Sequence, residues 1–295
     1  MAEKGKRAAA LGIFDGVHLG HRRVLKISAE MSEKGFIPSV FTFRSDTLAE
    51  KQGRSLKYIY TDENRERIIK NIGIRDIFSE NFGSFKSLSG EEFVREVLVK
   101  RLNTGIAICG EDYRFGFGAS CGVAELLQLG KKYGFDVMVA PEACIDGEKV
   151  SSRRIRQLLC EGKVCEASRF LGGSYTVFGE VVRGAQLGRT IGFPTVNQLF
   201  KADQLVPAYG VYVSRTTVMG RQYPSMTNIG VKPTVEYGGA PLAETYIDGF
   251  SGDLYGERLS VELIDFVRPE KKLGSLEELK RQISADIDVC AFKSS

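Results

Sequence analysis

The chain's two histidines, His18 and His21, stand three residues apart within Gly12-Ile13-Phe14-Asp15-Gly16-Val17-His18-Leu19-Gly20-His21. Imidazoles at that spacing can serve one ligand together, adding hydrogen bonds to a phosphate as its charge shifts. The residues around them suit the same chemistry. Glycines allow a tight turn, Gly16 and Gly20 let phosphate approach the backbone, and a helix starting near Gly20 presents free N–H groups and a partial positive charge to an anion. With no histidine elsewhere, a three-histidine zinc site and a triad using a distant histidine are both excluded. Cys109, Cys121, Cys144, Cys160, Cys165 and Cys290 have no CxxC spacing, and they read as small buried apolar residues.

A second stretch, from Gly179 to Asn197, carries Gly179, Gly184, Gly188 and Gly192 with Arg189 and Pro194 among them. Its backbone could wrap phosphates, and Thr195 and Asn197 offer oxygens to a hard cation such as Mg²⁺. No GxxxxGK[ST] loop occurs anywhere. Gly116 to Gly122 is not a dinucleotide fingerprint, because its third glycine falls one residue late.

The elements that must position these residues fall into two patterns. Strands are expected over Ala8 to Ile13, Ile37 to Phe43, Ile106 to Cys109 and Asp136 to Ala140. Helices are expected over His21 to Lys34, Asp62 to Asn71, from the capping box Ser89-Gly90-Glu91-Glu92 through Leu102, and over Val123 to Lys132. That alternation predicts a mostly parallel sheet. A helical pair, Arg154 to Leu159 and Val164 to Leu171, then leads into Gly172-Gly173. Beyond it, short strands over Tyr175 to Val182, Gly210 to Val218, Gln222 to Ile229, Glu244 to Phe250 and Arg258 to Phe266 predict an antiparallel barrel or sandwich. A second capping box, Ser275 to Glu278, opens a final helix with Leu279, Ile283 and Ile287 on one face. Two domains are therefore expected, 1–172 and 173–295.

The bulk numbers agree with a soluble globular protein. There are 41 basic and 37 acidic residues, a net charge of +4 with interspersed signs, so no nucleic-acid partner is expected. The start lacks the apolar core of a signal peptide, and no apolar run reaches the roughly 18 residues of a membrane helix. A cytoplasmic location with no membrane partner is expected.

The string GIFDGVHLGH resembles the FMN adenylyltransferase module of prokaryotic bifunctional riboflavin kinase/FAD synthetases, a branch of the HxGH nucleotidyltransferases. Gly110-Glu111-Asp112-Tyr113-Arg114-Phe115-Gly116 is similar to the family's GxDFxFG segment, and Ser151-Ser152-Arg153-Arg154-Ile155-Arg156 to its SSTxIR segment. In the second half, GRxxGFPTxN is similar to the riboflavin kinase signature. Tyr209-Gly210-Val211-Tyr212, Asn228 to Thr234, Glu244 to Ile247 and Asp253 to Gly256 follow in the family's order.

The resemblance implies an α/β nucleotidyltransferase domain followed by an antiparallel β-barrel kinase domain with a C-terminal helix. It implies phosphorylation of riboflavin by ATP to FMN, then adenylylation of FMN to FAD with release of pyrophosphate. Riboflavin, FMN, FAD and ATP are the implied partners, with Mg²⁺ as cofactor. It assigns His18, His21 and Arg156 to the ATP phosphates and Glu244 to general base. Gly12, Phe14, Asp15, Gly16, Gly20, Ser151 and Ser152 would bind one ATP. Gly179, Gly184, Gly188, Arg189, Gly192 and Pro194 would bind the other, with Thr195 and Asn197 on the metal. Asp112 and Arg268 would contact flavin.

Three positions depart from the pattern. Arg153 replaces the SSTxIR threonine, Thr42 to Thr47 stands where the family has proline-histidine-proline, and Tyr246 replaces the histidine of ExHI. The first two leave a second reading open: a riboflavin kinase with a weak or inactive adenylyltransferase domain.

Overall fold

In the computed structural model, the described residues are 5–48, 57–184, 192–231, 239–271, 277–278, 281–282 and 286. They form two compact units, Met1–Ser152 and Arg153–Ser295.

The first unit is a five-stranded parallel sheet of β1 (Arg7–Leu11), β2 (Ile37–Phe43), β3 (Asp76–Glu80), β4 (Thr104–Gly110) and β5 (Asp136–Ala140), in the order β3-β2-β1-β4-β5. Its helices are α1 (Leu19–Glu30), a single turn α2 (Ser45–Leu48), α3 (Asp62–Asn71), α4 (Gly90–Glu92, running on as a π-helical stretch, Phe93–Arg101) and α5 (Val123–Tyr133). The capping box at Ser89 is present, with Glu92 N–H donating to Ser89 Oγ and Ser89 N–H to the Glu92 carboxylate.

The sheet is covered on both faces, and β1 shows why its centre is Ala8-Ala9-Ala10. Ala8 and Ala10 pack with Val24 and Leu25 of α1, while Ala9 and Leu11 pack with Val94, Val97, Leu98 and Leu126 on the other side. Small side chains let both helical layers close on the central strand. The strand β3 had no expectation behind it. It is a half-buried edge strand whose Asp76, Ser79 and Glu80 hide the apolar alternation. A hairpin of β6 (Cys144–Ile145) and β7 (Glu148–Lys149) follows β5.

The second unit opens within α6 (Ser152–Cys160), which is followed by α7 (Val164–Leu171). Its sheet comprises β8 (Tyr175–Glu180), β9 (Thr195–Leu199), β10 (Gly210–Val218), β11 (Arg221–Val231), β12 (Pro241–Ile247) and β13 (Arg258–Pro269). All its pairings are antiparallel, in the order β8-β13-β10-β11-β12-β9. The sheet curls until its edges approach, and Val182 N–H donates to Asn197 O at 2.8 Å across the seam. Residues 277–278, 281–282 and 286 are helical.

The inward face of this barrel is partly polar. Ser214 and Thr227 hydroxyls lie 2.8 Å apart, Thr227 and Thr245 2.9 Å apart, and Ser225 donates to Thr216 at 2.7 Å. Each buried hydroxyl finds a partner on the neighbouring strand, which satisfies it without water.

Candidate functional site

The strand order of the first unit reverses between β1 and β4. Open α/β sheets bind ligands at that switch point, outside the carboxyl ends of the strands. β1 runs out into Gly12 to His18, and β4 into Glu111 to Gly116. The two segments singled out in the sequence therefore leave the sheet side by side.

The turn after β1 is unusual backbone. Phe14, Gly16 and Val17 have φ of 56°, 80° and 41°, and non-glycine residues there cost about 1–3 kcal/mol each. The surroundings hold it. Phe14 and Val17 side chains are buried, Val17 N–H donates to Phe14 O at 3.1 Å, and Ile59 N–H donates to the buried Asp15 carboxylate at 2.9 Å. Ser152 Oγ donates to Asp15 O at 2.9 Å, joining the SSRRIR segment to the turn. Gly16 has no room for a side chain, since a Cβ there would lie 2.8 Å from Ile59 Cδ1.

His18 is the N-cap of α1, and its Nδ1 accepts from His21 N–H at 3.3 Å. An imidazole nitrogen that accepts holds no proton, so the His18 proton sits on Nε2. The two rings stack at 3.6 Å between centroids, and Phe14 meets His21 edge-on at 5.3 Å. His21 Nδ1 is buried with no hydrogen-bond partner among the described residues. Burial first, then the neighbouring His18 and Arg65, push the His21 pKa well below the ordinary histidine value.

Arg65 carries no signal in the sequence, where it reads as one charge of a charged helix. It is 2% exposed. It donates to Ile13 O at 3.1 Å and to Phe43 O at 2.7 Å, at the exits of β1 and β2, and pairs with Asp62 at 2.9 Å. The buried Phe14 ring packs edge-on against His21. Asp112 lies just past β4, 3.5 Å from Lys149 Nζ, which also bonds Glu142. Arg156 lies on α6, one turn beyond Ser152.

The second unit brings Thr195, Asn197 and Glu244 together. Thr195 and Asn197 lie on β9, which the sequence had merged into a glycine-rich loop. Glu244 on β12 pairs in register with Asn197, and Tyr246 with Thr195, so all four side chains share one face. Thr195 Oγ1 donates to Glu244 Oε1 at 2.8 Å. Phe193 meets Tyr246 edge-on at 5.7 Å, an aromatic contact the sequence did not signal. A Cβ at Gly184 would lie 2.5 Å from Asn197 Nδ2, so glycine leaves the space that the asparagine amide occupies. Hydroxyl, amide and carboxylate oxygens on one face form a hard-donor set that fits Mg²⁺.

Arg268 is held at 2.6 Å by Asp286 and also donates to Pro269 O at 3.2 Å. Gly188 and Arg189 lie outside the described residues, as do Leu279, Ile283 and Ile287. Gly12 directly follows β1, Gly20 is in the first turn of α1, Ser151 directly precedes α6, Gly179 is on β8, and Gly192 and Pro194 precede β9.

The fold thus carries a histidine pair on a switch-point turn in one unit and a set of oxygen donors on one strand face in the other. Residues 1–154 match the model of the FAD synthetase family, and residues 171–292 that of the riboflavin kinase family. A bifunctional riboflavin kinase/FMN adenylyltransferase of Listeria monocytogenes is 33% identical over 95% of this chain and 90% of its own. The enzyme of that name from Escherichia coli K12 is 34% identical over 94% and 89%. A crystal structure titled a macrolide-efflux protein of Streptococcus pneumoniae superposes with a TM-score of 0.82 at 30% identity, over 98% of this chain and 95% of that one. The chain belongs to the family of bifunctional riboflavin kinases/FMN adenylyltransferases. No helix among the described residues is long and apolar enough to cross a membrane.

Proposed function

We propose that the chain makes FAD from riboflavin in two ATP-dependent steps, with residues 173–295 carrying the first and 1–172 the second. The observation that carries this reading is that each half pairs its own family match with its own cluster of polar groups. A kinase with a silent N-terminal half would have no use for a strained turn held at Asp15 and a stacked histidine pair.

In the first step Glu244 takes the proton of the riboflavin 5′-hydroxyl, whose oxygen attacks the γ-phosphorus of ATP. The bond from that phosphorus to the β–γ bridging oxygen breaks, giving FMN and ADP. Thr195 keeps the carboxylate oriented through its 2.8 Å hydrogen bond. Thr195 and Asn197 hold Mg²⁺, which when bound neutralises phosphate charge. Gly179, Gly184, Gly188, Arg189, Gly192 and Pro194 bind ATP, as the resemblance of this stretch implies.

In the second step an FMN phosphate oxygen attacks the α-phosphorus of a second ATP, and the bond to the bridging oxygen breaks with loss of pyrophosphate. Negative charge grows on the leaving group. His18 donates from Nε2, and His21 and Arg156 supply further donors, which is the main lever in transfers of this kind. Gly12, Phe14, Asp15, Gly16, Gly20, Ser151 and Ser152 form the ATP cradle, and Asp112 contacts the flavin of FMN; Arg268, in the kinase half, contacts riboflavin in the first step.

Of the five cysteines among the described residues, Cys109 is buried as expected, whereas Cys144, Cys160 and Cys165 are exposed; none forms a disulfide with another, which suits a reducing cytoplasm. The mild, interspersed charge supports a reading without a nucleic-acid partner. The test is to supply riboflavin, ATP and Mg²⁺ to Glu244→Gln and His21→Ala. Loss of FMN formation in the first and of FAD formation alone in the second supports the division of labour.

A further inference from the structure

Arg65 sits where a cation is costly. It is in the first turn of α3, against the positive end of the helix dipole, and its guanidinium is withdrawn from water. Its counter-ion Asp62 is itself part-exposed and is shared with the Ser45 N–H, at 3.0 Å. Arg65 Nε is buried with no partner among the described residues. A buried donor left unmatched costs stability, so stability alone does not account for this placement.

What the placement does achieve is local to one site. One guanidinium arm holds Ile13 O and the other holds Phe43 O. Thr42 Oγ1 donates to the same Ile13 carbonyl at 3.0 Å. Ile13 directly precedes the turn that carries Phe14, Asp15, Gly16 and Val17 to the histidine pair. The carbonyl is thus pinned twice at the point where the chain leaves the sheet.

We propose that Arg65 is a positioning residue for adenylyl transfer: its buried guanidinium fixes the chain where it leaves β1 and β2, and so sets the turn that presents His18 and His21. This rests on the reading that the histidine pair serves that reaction. Arg65 also acts on the pair electrostatically. His21 is faced by His18 and Phe14 from its own segment and by Arg65 from α3, and the arginine's charge disfavours the imidazolium. Arg65 would therefore contribute twice, once through geometry and once by holding His21 neutral before the triphosphate enters.

The two contributions separate by substitution in the full-length chain. Arg65→Met removes both charge and donors. Arg65→Lys keeps the charge but cannot span two carbonyls with a planar fork. With two histidines in the chain, imidazole NMR resolves each titration directly. In folded Arg65→Met, the His21 titration moves to higher pH and kcat for FAD formation falls about 10–100-fold, the scale of a small misplacement of reacting groups. KM for ATP changes much less, and FMN formation is unaffected. In Arg65→Lys the His21 titration stays in place while kcat for FAD still falls.

Wild-type kcat for FAD, or an unmoved His21 titration, in folded Arg65→Met overturns the proposal. If Arg65→Met does not fold, Arg65→Lys decides: a lowered kcat supports the clamp and a wild-type kcat overturns it. His21→Ala run alongside separates the two claims, because FAD formation surviving there refutes the histidine assignment, whatever Arg65 does.

Discussion

Replacing Gly16 by alanine should damage one active site by a predictable amount. The new Cβ meets two obstacles. It stands on a residue with φ of 80°, where an L-amino acid costs about 1–2 kcal/mol. It also lies 2.8 Å from Cδ1 of the fully buried Ile59, and overpacking of that kind costs about 1–3 kcal/mol. Together they remove about 2–5 kcal/mol from the first unit. The second obstacle can be taken away. Ile59→Val deletes Cδ1, leaving Cγ2 at 3.5 Å, an ordinary contact, at a cost of about 0.5–1.5 kcal/mol by itself. Gly16→Ala should therefore cost only about 1–2 kcal/mol in the Ile59→Val background, a coupling of about 1–3 kcal/mol. The chain has no tryptophan, so urea unfolding is followed by circular dichroism and fitted with separate transitions for the two units. FAD formation from supplied FMN should fall with the first transition, and FMN formation should not. An equal cost of Gly16→Ala in both backgrounds refutes the steric argument.

Other outcomes follow from the same geometry. Glu244→Gln should lower FMN formation about 10²–10⁴-fold, the usual worth of a positioned base, while FAD formation from supplied FMN is unchanged in a coupled-product assay. Thr195→Val should lower kcat for FMN too, and it should weaken Mg²⁺ binding measured by calorimetry in the presence of ADP. The depressed pKa of His21 has a stability consequence. Unfolding lets that imidazole bind a proton below its ordinary pKa of about 6.5, so stability of the first unit should be full above that pH and decline below it. The slope should approach one proton, and His21→Ala should flatten it in denaturation curves taken between about pH 5 and pH 7.

Much of this was legible in the chain, and the exceptions have physical causes. The parallel sheet was readable because β1, β2 and β4 are covered on both faces and so are mostly apolar, as over Ala8 to Leu11 and Ile106 to Cys109. The turn after β1 was readable because its glycines and the chain's only two histidines stand close together in a fixed order. The edge strand β3 was not, since Asp76, Ser79 and Glu80 face partly outward and break the apolar run. The strand β9 was hidden because Thr195 and Asn197 look like loop ligands, and only pairing with Glu244 and Tyr246 reveals a strand. Ser214, Thr216, Ser225, Thr227 and Thr245 point into the barrel, where alternation alone would have put apolar side chains. Their mutual hydrogen bonds make burial tolerable, and such bonds exist only after the strands are paired. Arg65 was invisible for a similar reason. Its partners, Ile13 O and Phe43 O, are backbone atoms 52 and 22 residues away.

The central claim is that one chain performs two reactions at two separate sites, and a product time course tests it most directly. Full-length protein is given riboflavin, ATP and Mg²⁺, and FMN and FAD are followed by mass spectrometry, alongside His21→Ala. The account predicts FMN followed by FAD from the unaltered chain, and FMN alone, at a near-normal rate, from His21→Ala. FMN accumulating without FAD in the unaltered chain would contradict it, as would the loss of both products from a folded His21→Ala protein.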